Sequence, residues 1–350
     1  MSPYQFSVKD DNEYNKILCN KIIEGQVYTL EFDMENEYTN VTNILNSLKH
    51  ENSYVLTIII CLKTDPKLSK EFWEELKNGL HSKTSRVNRL IFLGIRRYFE
   101  IGHVNISLTY LDQIINDKNN KIQSLTFYHI KITELSLFRI KRNLNEERNN
   151  KYMVQLCNVV IENLTENDEF LKCITNLKIC DNTKLPKKFI ENGINIETLE
   201  IRLSLVHNNI LEEISNLLKN EKNVLCKLYY QNAKTYKYND ETQNNFLKSL
   251  GNENCKLVDL ELINFYIKNT FELTKSILLN DINRVVIKDI SENEDDYEEE
   301  TYEKLKENVK LIETILSAQT IKRLSNNEEC YIKKLPTDVI RILHDMMFLQ

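Results

Sequence analysis

The segment "LVDLELINFYI", residues 257–267, places large apolar side chains at Leu257, Leu260, Leu262, Phe265 and Ile267. The steps between these positions alternate between three and two residues. A helix would give steps of three and four, and a single alternating strand would give steps of two. The segment therefore predicts a short strand that bends into the next layer of the fold.

The same spacing, L-x-x-L-x-L, recurs about every 28 residues along the chain. In the fifth unit, the same spacing can also begin at Met153. The units are Val27/Leu30/Phe32, Val55/Ile58/Ile60, Val87/Leu90/Phe92, Ile122/Leu125/Phe127, Leu156/Val159/Ile161, Ile174/Leu177/Ile179, Ile196/Leu199/Ile201, Leu225/Leu228/Tyr230, Leu257/Leu260/Leu262 and Ile282/Val285/Ile287.

Segments with helical spacing lie between these units. "ILEEISNLL" (210–218) and "VTNILNSL" (41–48) each place their apolar residues on one helical face. "DPKLSKEFWEEL" (65–76) has Asp65 as a cap and Pro66 at the first helical position. The chain is therefore predicted to alternate short strands with helices.

This pattern resembles the leucine-rich-repeat family in its longer strand–helix form, over about residues 20–290. The first three positions of L-x-x-L-x-L-x-x-N/C-x-L are present throughout, whereas only Asn182 occupies the fourth. The resemblance implies an α/β solenoid, or horseshoe, of about ten irregular repeats, in which neighbouring repeats share a core. An ordinary α/β sheet is the alternative, but it would need glycine-bearing turns after the strands.

The resemblance also implies an organisation into four regions. Residues 1–26 would form an N-terminal cap and residues 27–290 the solenoid. Residues 291–303 would form an acidic insertion, which is either a solvated loop or a contact for a basic partner. Residues 304–350 would form a helical C-terminal cap.

The composition gives no support to an enzyme. Only six glycines are present, and no glycine-rich phosphate loop or nucleophile-elbow motif can be written. The eight cysteines and six histidines are scattered without metal-ligand spacing, and the cysteines are read as small buried hydrophobes. The sequence therefore predicts no catalytic residue, no cofactor and no metal.

Charge and hydropathy restrict the class of partner. The net charge is −6, and the basic clusters at 96–97, 139–142 and 187–188 are short, so nucleic acid is not the expected partner. The longest apolar run, 55–62, is far below the ~20 residues that span a bilayer. No secretory signal is visible at the start, so an intracellular protein, cytoplasmic or nuclear, is expected. The abundance of Asn, Ile and Lys is typical of an AT-rich genome.

In a repeat of this kind, the side chains between the signature positions lie on the concave sheet. Ile59, Cys61, Ile91 and Leu93 would then form an apolar patch, with Tyr128 beside it. Either this patch binds a protein, or an error of register or an N-terminal segment hides it. The predicted partner-binding residues are Ile59, Cys61, Ile91, Leu93, Tyr128, Arg202 and Tyr229.

The segment "IKKLPTDVIRILHDMMFLQ" (332–350) resembles the first helix of an F-box and, more faintly, the LP segment of cullin-binding boxes. The remainder of an F-box is missing. The resemblance implies contacts with a ubiquitin-ligase adaptor, although a plain capping helix would need no partner. The residues concerned are Leu335, Pro336, Val339, Ile340 and Leu343.

The sequence thus predicts a non-enzymatic protein–protein interaction module. One role is substrate recognition for a ubiquitin ligase. The other is a structural or regulatory subunit of a larger assembly, such as a ribonucleoprotein or virion, without a ligase contact.

Overall fold

A computed structural model provides the three-dimensional structure. It describes residues 5–9, 11–33, 41–62, 70–94, 104–105, 114, 121–132, 152–161, 174–181, 183–203, 209–232, 238–265, 267, 272–273, 276–277, 280, 282 and 284–288. The predicted acidic insertion and the predicted C-terminal cap lie outside these residues.

Strands and helices follow one another along the described chain. The strands are β1 (Gln5–Val8), β2 (Thr29–Asp33), β3 (Thr57–Leu62), β4 (Arg89–Gly94), β5 (Val104–Asn105), β6 (Ser124–Tyr128), β7 (Ile130–Ile132), β8 (Tyr152–Cys157), β9 (Val160–Ile161), β10 (Ile174–Cys180), β11 (Thr198–Arg202), β12 (Lys227–Gln231), β13 (Asp259–Ile263) and β14 (Arg284–Lys288). The helices are α1 (Asn12–Ile23), α2 (Val41–Ser47), α3 (Lys70–Leu80), α4 (Asn209–Lys219) and α5 (Asp240–Leu250).

The fold is α/β, and eleven of the described strands belong to one large parallel sheet that is not closed into a barrel. The chain divides into two compact parts, residues 1–196 with 200–205 and residues 197–199 with 206–350. In the N-terminal part the strand order is β1-β2-β3-β4-β6-β8-β10, and in the C-terminal part it is β12-β13-β14. Strand β11 contributes residues to both parts.

Apolar side chains form two buried rows across neighbouring strands of the N-terminal part. Leu30, Ile58, Leu90, Leu125 and Val154 are aligned in register. The second row is Phe32, Ile60, Phe92, Phe127 and Leu156, and every residue in both rows is at most 2% exposed. The rings of Phe92 and Phe127 stack with centroids 5.3 Å apart. Each strand therefore buries its apolar side chains against those of its neighbours.

The fifth unit has a different register from the one predicted at Leu156, Val159 and Ile161. Val154 and Leu156 occupy the two strand positions, because Val154 pairs with Leu125 and Leu177. Val159 lies beyond the strand, and Ile161 pairs with Ile132 in a second sheet. The reading from Met153 is also wrong, because Met153 is 43% exposed. Both readings failed because the three–two spacing continues from β8 into β9.

The helices bury the faces that their spacing predicted. In α4, Ile210, Leu211, Ile214, Leu217 and Leu218 are all at most 5% exposed. Helix α2 packs on α3, and α4 packs on α5. The described part of the 65–76 segment is helical from Lys70, whereas Asp65 and Pro66 lie outside the described residues.

The first region of the chain contains a strand as well as a helix. Strand β1 pairs in parallel with β2, placing Phe6 beside Leu30 and Val8 beside Phe32. Helix α1 begins after Asp11, whose side chain accepts hydrogen bonds from the backbone N–H of Glu13 and Tyr14 at 2.9 and 3.0 Å. The sheet thus extends into the region predicted as an N-terminal cap.

Successive strands are connected at their entry points by a ladder of backbone hydrogen bonds. The carbonyl of Tyr28 accepts from Leu56 and Thr57, and the carbonyl of Leu56 accepts from Asn88 and Arg89, at 3.0–3.2 Å. The carbonyl of Cys226 likewise accepts from Val258 and Asp259. The chain therefore enters neighbouring strands in the same way in both parts.

Several strands of the large sheet end at a residue with left-handed backbone geometry. His129, Asn158, Asp181 and Asn264 all have φ between 52° and 56°. Histidine, asparagine and aspartate adopt this region more readily than most residues with a side chain. After the first two of these bends the chain forms β7 and β9, which together with β5 make a three-stranded parallel sheet.

Candidate functional site

The candidate site is the outer face of the large sheet, defined as the face that carries the side chains between the two buried rows. In the N-terminal part, Phe32 packs on Phe72 of α3 and Phe92 packs on Trp73 of the same helix. Side chains alternate along a strand, so the intervening positions face away from α3. The central row of this face is Glu31, Ile59, Ile91, Thr126, Gln155 and Lys178.

The four residues of the predicted apolar patch and the neighbouring Tyr128 lie on adjacent strands. Ile59 pairs with Ile91, Cys61 pairs with Leu93, and Leu93 pairs with Tyr128. Ile59, Ile91, Leu93 and Tyr128 are partly exposed. We call Ile59, Cys61, Ile91, Leu93 and Tyr128 the apolar patch.

Cys61 contributes less surface to the apolar patch than its position suggests, because it is 1% exposed. Its thiol donates to a carboxylate oxygen of Glu31 at 3.4 Å. The other carboxylate oxygen of Glu31 accepts from the side-chain amide of Gln5 at 2.8 Å. The side of the patch nearest β1 is therefore polar and hydrogen-bonded.

Residues that the sequence reading did not select complete the site next to Tyr128. Because β8 has the register described above, Gln155 and Cys157 lie on the outer face. The amide of Gln155 donates to the hydroxyl of Tyr128 at 3.2 Å and to the sulfur of Cys157 at 3.3 Å. Burial raises the pKa of Tyr128, which stays a neutral phenol.

Two cysteines meet at the ends of adjacent strands. Cys157 and Cys180 are paired in register and are 4% and 9% exposed. The thiol of Cys180 donates to the sulfur of Cys157, which lowers the pKa of Cys157 and raises that of Cys180. This thiol pair could not be recognised from the sequence, because 22 intervening positions and an uncertain register separated the two residues.

Arg202 lies in an ion-pair cluster of the same part of the chain. Its Nε is 2.5 Å from a carboxylate oxygen of Glu200, and the Nζ of Lys178 is 3.0 Å from that oxygen. The side chain of Arg202 is 48% exposed. Ion pairs that are open to solvent contribute little stability.

Tyr229 belongs to the C-terminal part and is partly exposed. It pairs in register with Glu261, and Glu261 pairs with Val286. Its hydroxyl donates to the side-chain oxygen of Gln231 at 3.2 Å. Tyr229 therefore contributes an aromatic ring to a largely polar section of the outer face.

The tail residues Leu335, Pro336, Val339, Ile340 and Leu343 lie outside the described residues. Within the described ranges, no group of three or more His, Cys, Asp or Glu side chains is placed to hold a metal ion. Among the helices of those ranges, none has both the length and the apolar character needed to cross a membrane. No protein-family model matches the chain, and no curated protein matches it.

Proposed function

We propose that the chain is a leucine-rich-repeat solenoid whose outer face binds a protein partner, without catalysis or a cofactor. Three features support the repeat interpretation. Strands recur about every 28 residues, their buried positions keep one register, and a backbone ladder connects their entry points. The solenoid would present the predicted concave face as its binding surface.

The apolar patch is the observation that carries the binding role. Ile59, Ile91, Leu93 and Tyr128 lie on consecutive strands and remain partly exposed. Apolar groups in a contiguous exposed patch commonly mark a protein-binding surface. Aromatic and aliphatic side chains at the centre of an interface supply most of its binding energy.

The test is to purify partners from cells with the full-length protein and with Ile91→Arg or Leu93→Asp, made singly. Both side chains are partly exposed, so each variant should fold, which circular dichroism and thermal melting would check. We expect either change to remove the bound partner. Val258→Asp is the matched control, because Val258 is 43% exposed and lies outside the apolar patch. Equal recovery of the partner with all variants would refute the binding role of the patch.

We further propose that the tail at 335–347 recruits a ubiquitin-ligase adaptor, which would make the repeats a substrate-recognition module. The sequence similarity to the first helix of an F-box supports this role. Partners of the full-length chain would be compared with those of a chain ending at Lys334. Selective loss of a cullin or its adaptor is expected, and its absence from both samples would exclude the ligase role.

A structural or regulatory subunit of a larger assembly is the second candidate function. Acidic residues 291–303 and the largely polar outer face near Tyr229 are compatible with contacts to several partners. In this case the partners would be retained when the tail is removed, and no ligase component would be found.

A further inference from the structure

A cluster of polar side chains lies beside the apolar patch on the outer face. Arg89 is the first residue of β4, and it pairs in register with Ser124, the first residue of β6. Thr126 is two residues further along β6, so Ser124 and Thr126 lie on the same face of the strand. Arg89 likewise shares its face with Ile91 of the apolar patch. We call Arg89, Ser124 and Thr126 the polar cluster.

The polar cluster is buried even though it lies on the outer face. Ser124 is 8% exposed and Thr126 is 0% exposed, whereas Arg89 is partly exposed. The intervening Leu125 and the following Phe127 are also buried, so β6 is buried on both of its faces from Ser124 to Phe127. Arg89 is the member of the polar cluster that remains partly exposed.

Three polar atoms of this cluster have no hydrogen-bond partner. They are the Nε of Arg89, the Oγ of Ser124 and the Oγ1 of Thr126, and each of these atoms is buried. A buried donor without a partner has lost its hydrogen bonds to water and forms none within the protein, which costs free energy. Such atoms are rare in folded proteins, and three of them side by side call for a ligand that satisfies all three.

The charge of the cluster restricts what this ligand can be. In the described part of the chain, no carboxylate forms an ion pair with Arg89. The residues paired with the cluster are Thr57, Ile91, Met153 and Gln155, none of which is charged. The nearest acidic residue in the central row, Glu31, is on β2 and is hydrogen-bonded to Gln5 and Cys61.

An oxyanion satisfies these requirements together. A guanidinium N–H and two hydroxyl groups all donate to oxygen, and a negative charge would balance that of Arg89. A cation would be repelled by Arg89, and an apolar group would leave the three donors without partners.

We propose that Arg89, Ser124 and Thr126 bind a carboxylate or phosphoryl group presented by the protein partner, while the adjacent apolar patch holds the apolar residues around that group. This inference rests on the proposed binding function and specifies the chemistry of the partner. The partner should therefore carry an acidic or phosphorylated residue next to apolar ones.

The oxyanion site can be tested without the partner, using inorganic phosphate as the probe. Thermal unfolding would be measured in phosphate and in sodium chloride at equal ionic strength. We expect phosphate to raise the Tm of the wild-type protein by about 2–4 °C. Arg89→Gln should abolish this rise. Arg86→Gln is the matched control, because the guanidinium of Arg86 stacks 4.0 Å above the ring of Tyr54 and lies outside the cluster.

Thr126→Val distinguishes a ligand-binding hydroxyl from a structural one. Valine has nearly the same shape and removes the unpaired hydroxyl, so the Tm in chloride should rise slightly. The phosphate-dependent rise should be lost at the same time. A lower Tm of Thr126→Val in chloride, or equal responses to phosphate in wild type, Arg89→Gln and Arg86→Gln, would overturn the proposal.

Measuring how the variants bind the protein partner tests this inference separately from the proposed function. If Ile91→Arg and Arg89→Gln both release the partner, both proposals are supported. If only Ile91→Arg releases it, the apolar patch binds the partner and the oxyanion inference fails. A phosphate response without any protein partner would support the site and refute the binding function. Loss of the partner after phosphatase treatment would identify the group as phosphoryl, and its retention would identify a carboxylate.

Discussion

Asn223 shows how one side chain supports a turn between strand–helix units. It is fully buried two residues before Leu225, and its amide nitrogen donates to the carbonyls of Leu218, Asn220 and Asn254 at 2.6–3.3 Å. Its side-chain oxygen accepts from the backbone N–H of Leu225 at 3.2 Å. Buried Ser53, Ser85 and Cys255 occupy the same position before Val55, Val87 and Leu257.

Asn223→Ala should lower the free energy of unfolding by about 2–3 kcal/mol, because it leaves backbone carbonyls without their donor. Urea denaturation monitored by circular dichroism would measure this loss. Asn52→Ala is the control, since Asn52 is exposed in a corresponding turn and should change stability little. Equal effects of the two substitutions would contradict the role of Asn223.

Cys157 should be alkylated at lower pH than an ordinary buried cysteine. The thiolate is the reactive form, and the hydrogen bond from Cys180 lowers the pKa of Cys157. Cys180→Ala removes this donor, so the pKa of Cys157 should rise and its alkylation should require a higher pH. The rate of iodoacetamide labelling at Cys157, measured by mass spectrometry across pH, tests this shift.

Cys61→Ala provides the control for this experiment, because Cys61 donates to Glu31 and does not pair with Cys157. Burial raises the pKa of Cys255, so this residue should react last in all variants. A labelling profile of Cys157 that is unchanged by Cys180→Ala would show that the two thiols do not interact.

At the scale of elements, the ends of the strands approach each other closely. Gly94 occupies the last position of β4, and a Cβ atom added there would overlap the backbone carbonyl of His129. His129 itself adopts left-handed geometry at the end of β6. Only glycine allows β4 and the bend after β6 to lie this close together.

Gly94→Ala should therefore destabilise the protein by about 1–3 kcal/mol, because the backbone must shift to admit the methyl group. The denaturation midpoint would be compared with that of Lys83→Ala, a substitution at an exposed turn position. A midpoint for Gly94→Ala as high as that of the control would mean that the two strand ends separate without cost.

The sequence predicted most strands of the large sheet, because each of these buries two apolar residues in a fixed spacing, but it did not predict β1. It failed at β8, since the same spacing also describes the path from β8 through Asn158 into β9. It could not identify the polar cluster, because polar residues at outward positions of a strand look solvated in sequence. Their burial depends on side chains from neighbouring strands, which only the three-dimensional structure brings together.

At the scale of the molecule, stability should be distributed between neighbouring strand–helix units. Phe246 lies in the core of the C-terminal part, where its ring is 5.7 Å from that of Phe265. Phe92 lies in the core of the N-terminal part, next to Trp73, the only tryptophan of the chain. In repeat proteins each unit is stabilised mainly by its immediate neighbours.

Phe246→Ala should lower hydrogen-exchange protection in β12 and β13 while leaving that of β2, β3 and β4 largely unchanged. The cost to the C-terminal part should be about 3–5 kcal/mol. Phe92→Ala should produce the opposite distribution and also change the fluorescence of Trp73. A uniform loss of protection in both variants would show that the chain unfolds as one cooperative unit.

The shared register of the parallel strands has a consequence for how the gene can change in length. Thr57 and Arg89 are paired in register. The residues that precede them, Leu56 and Asn88, both take part in the ladder of backbone hydrogen bonds at the strand entry points. A deletion of codons 57–88 would therefore join Leu56 to Arg89 and place β4 beside β2 with its apolar residues in the rows left by β3. Unequal recombination would therefore add or remove whole strand–helix units. The number of residues on the outer face would then change by one strand at a time.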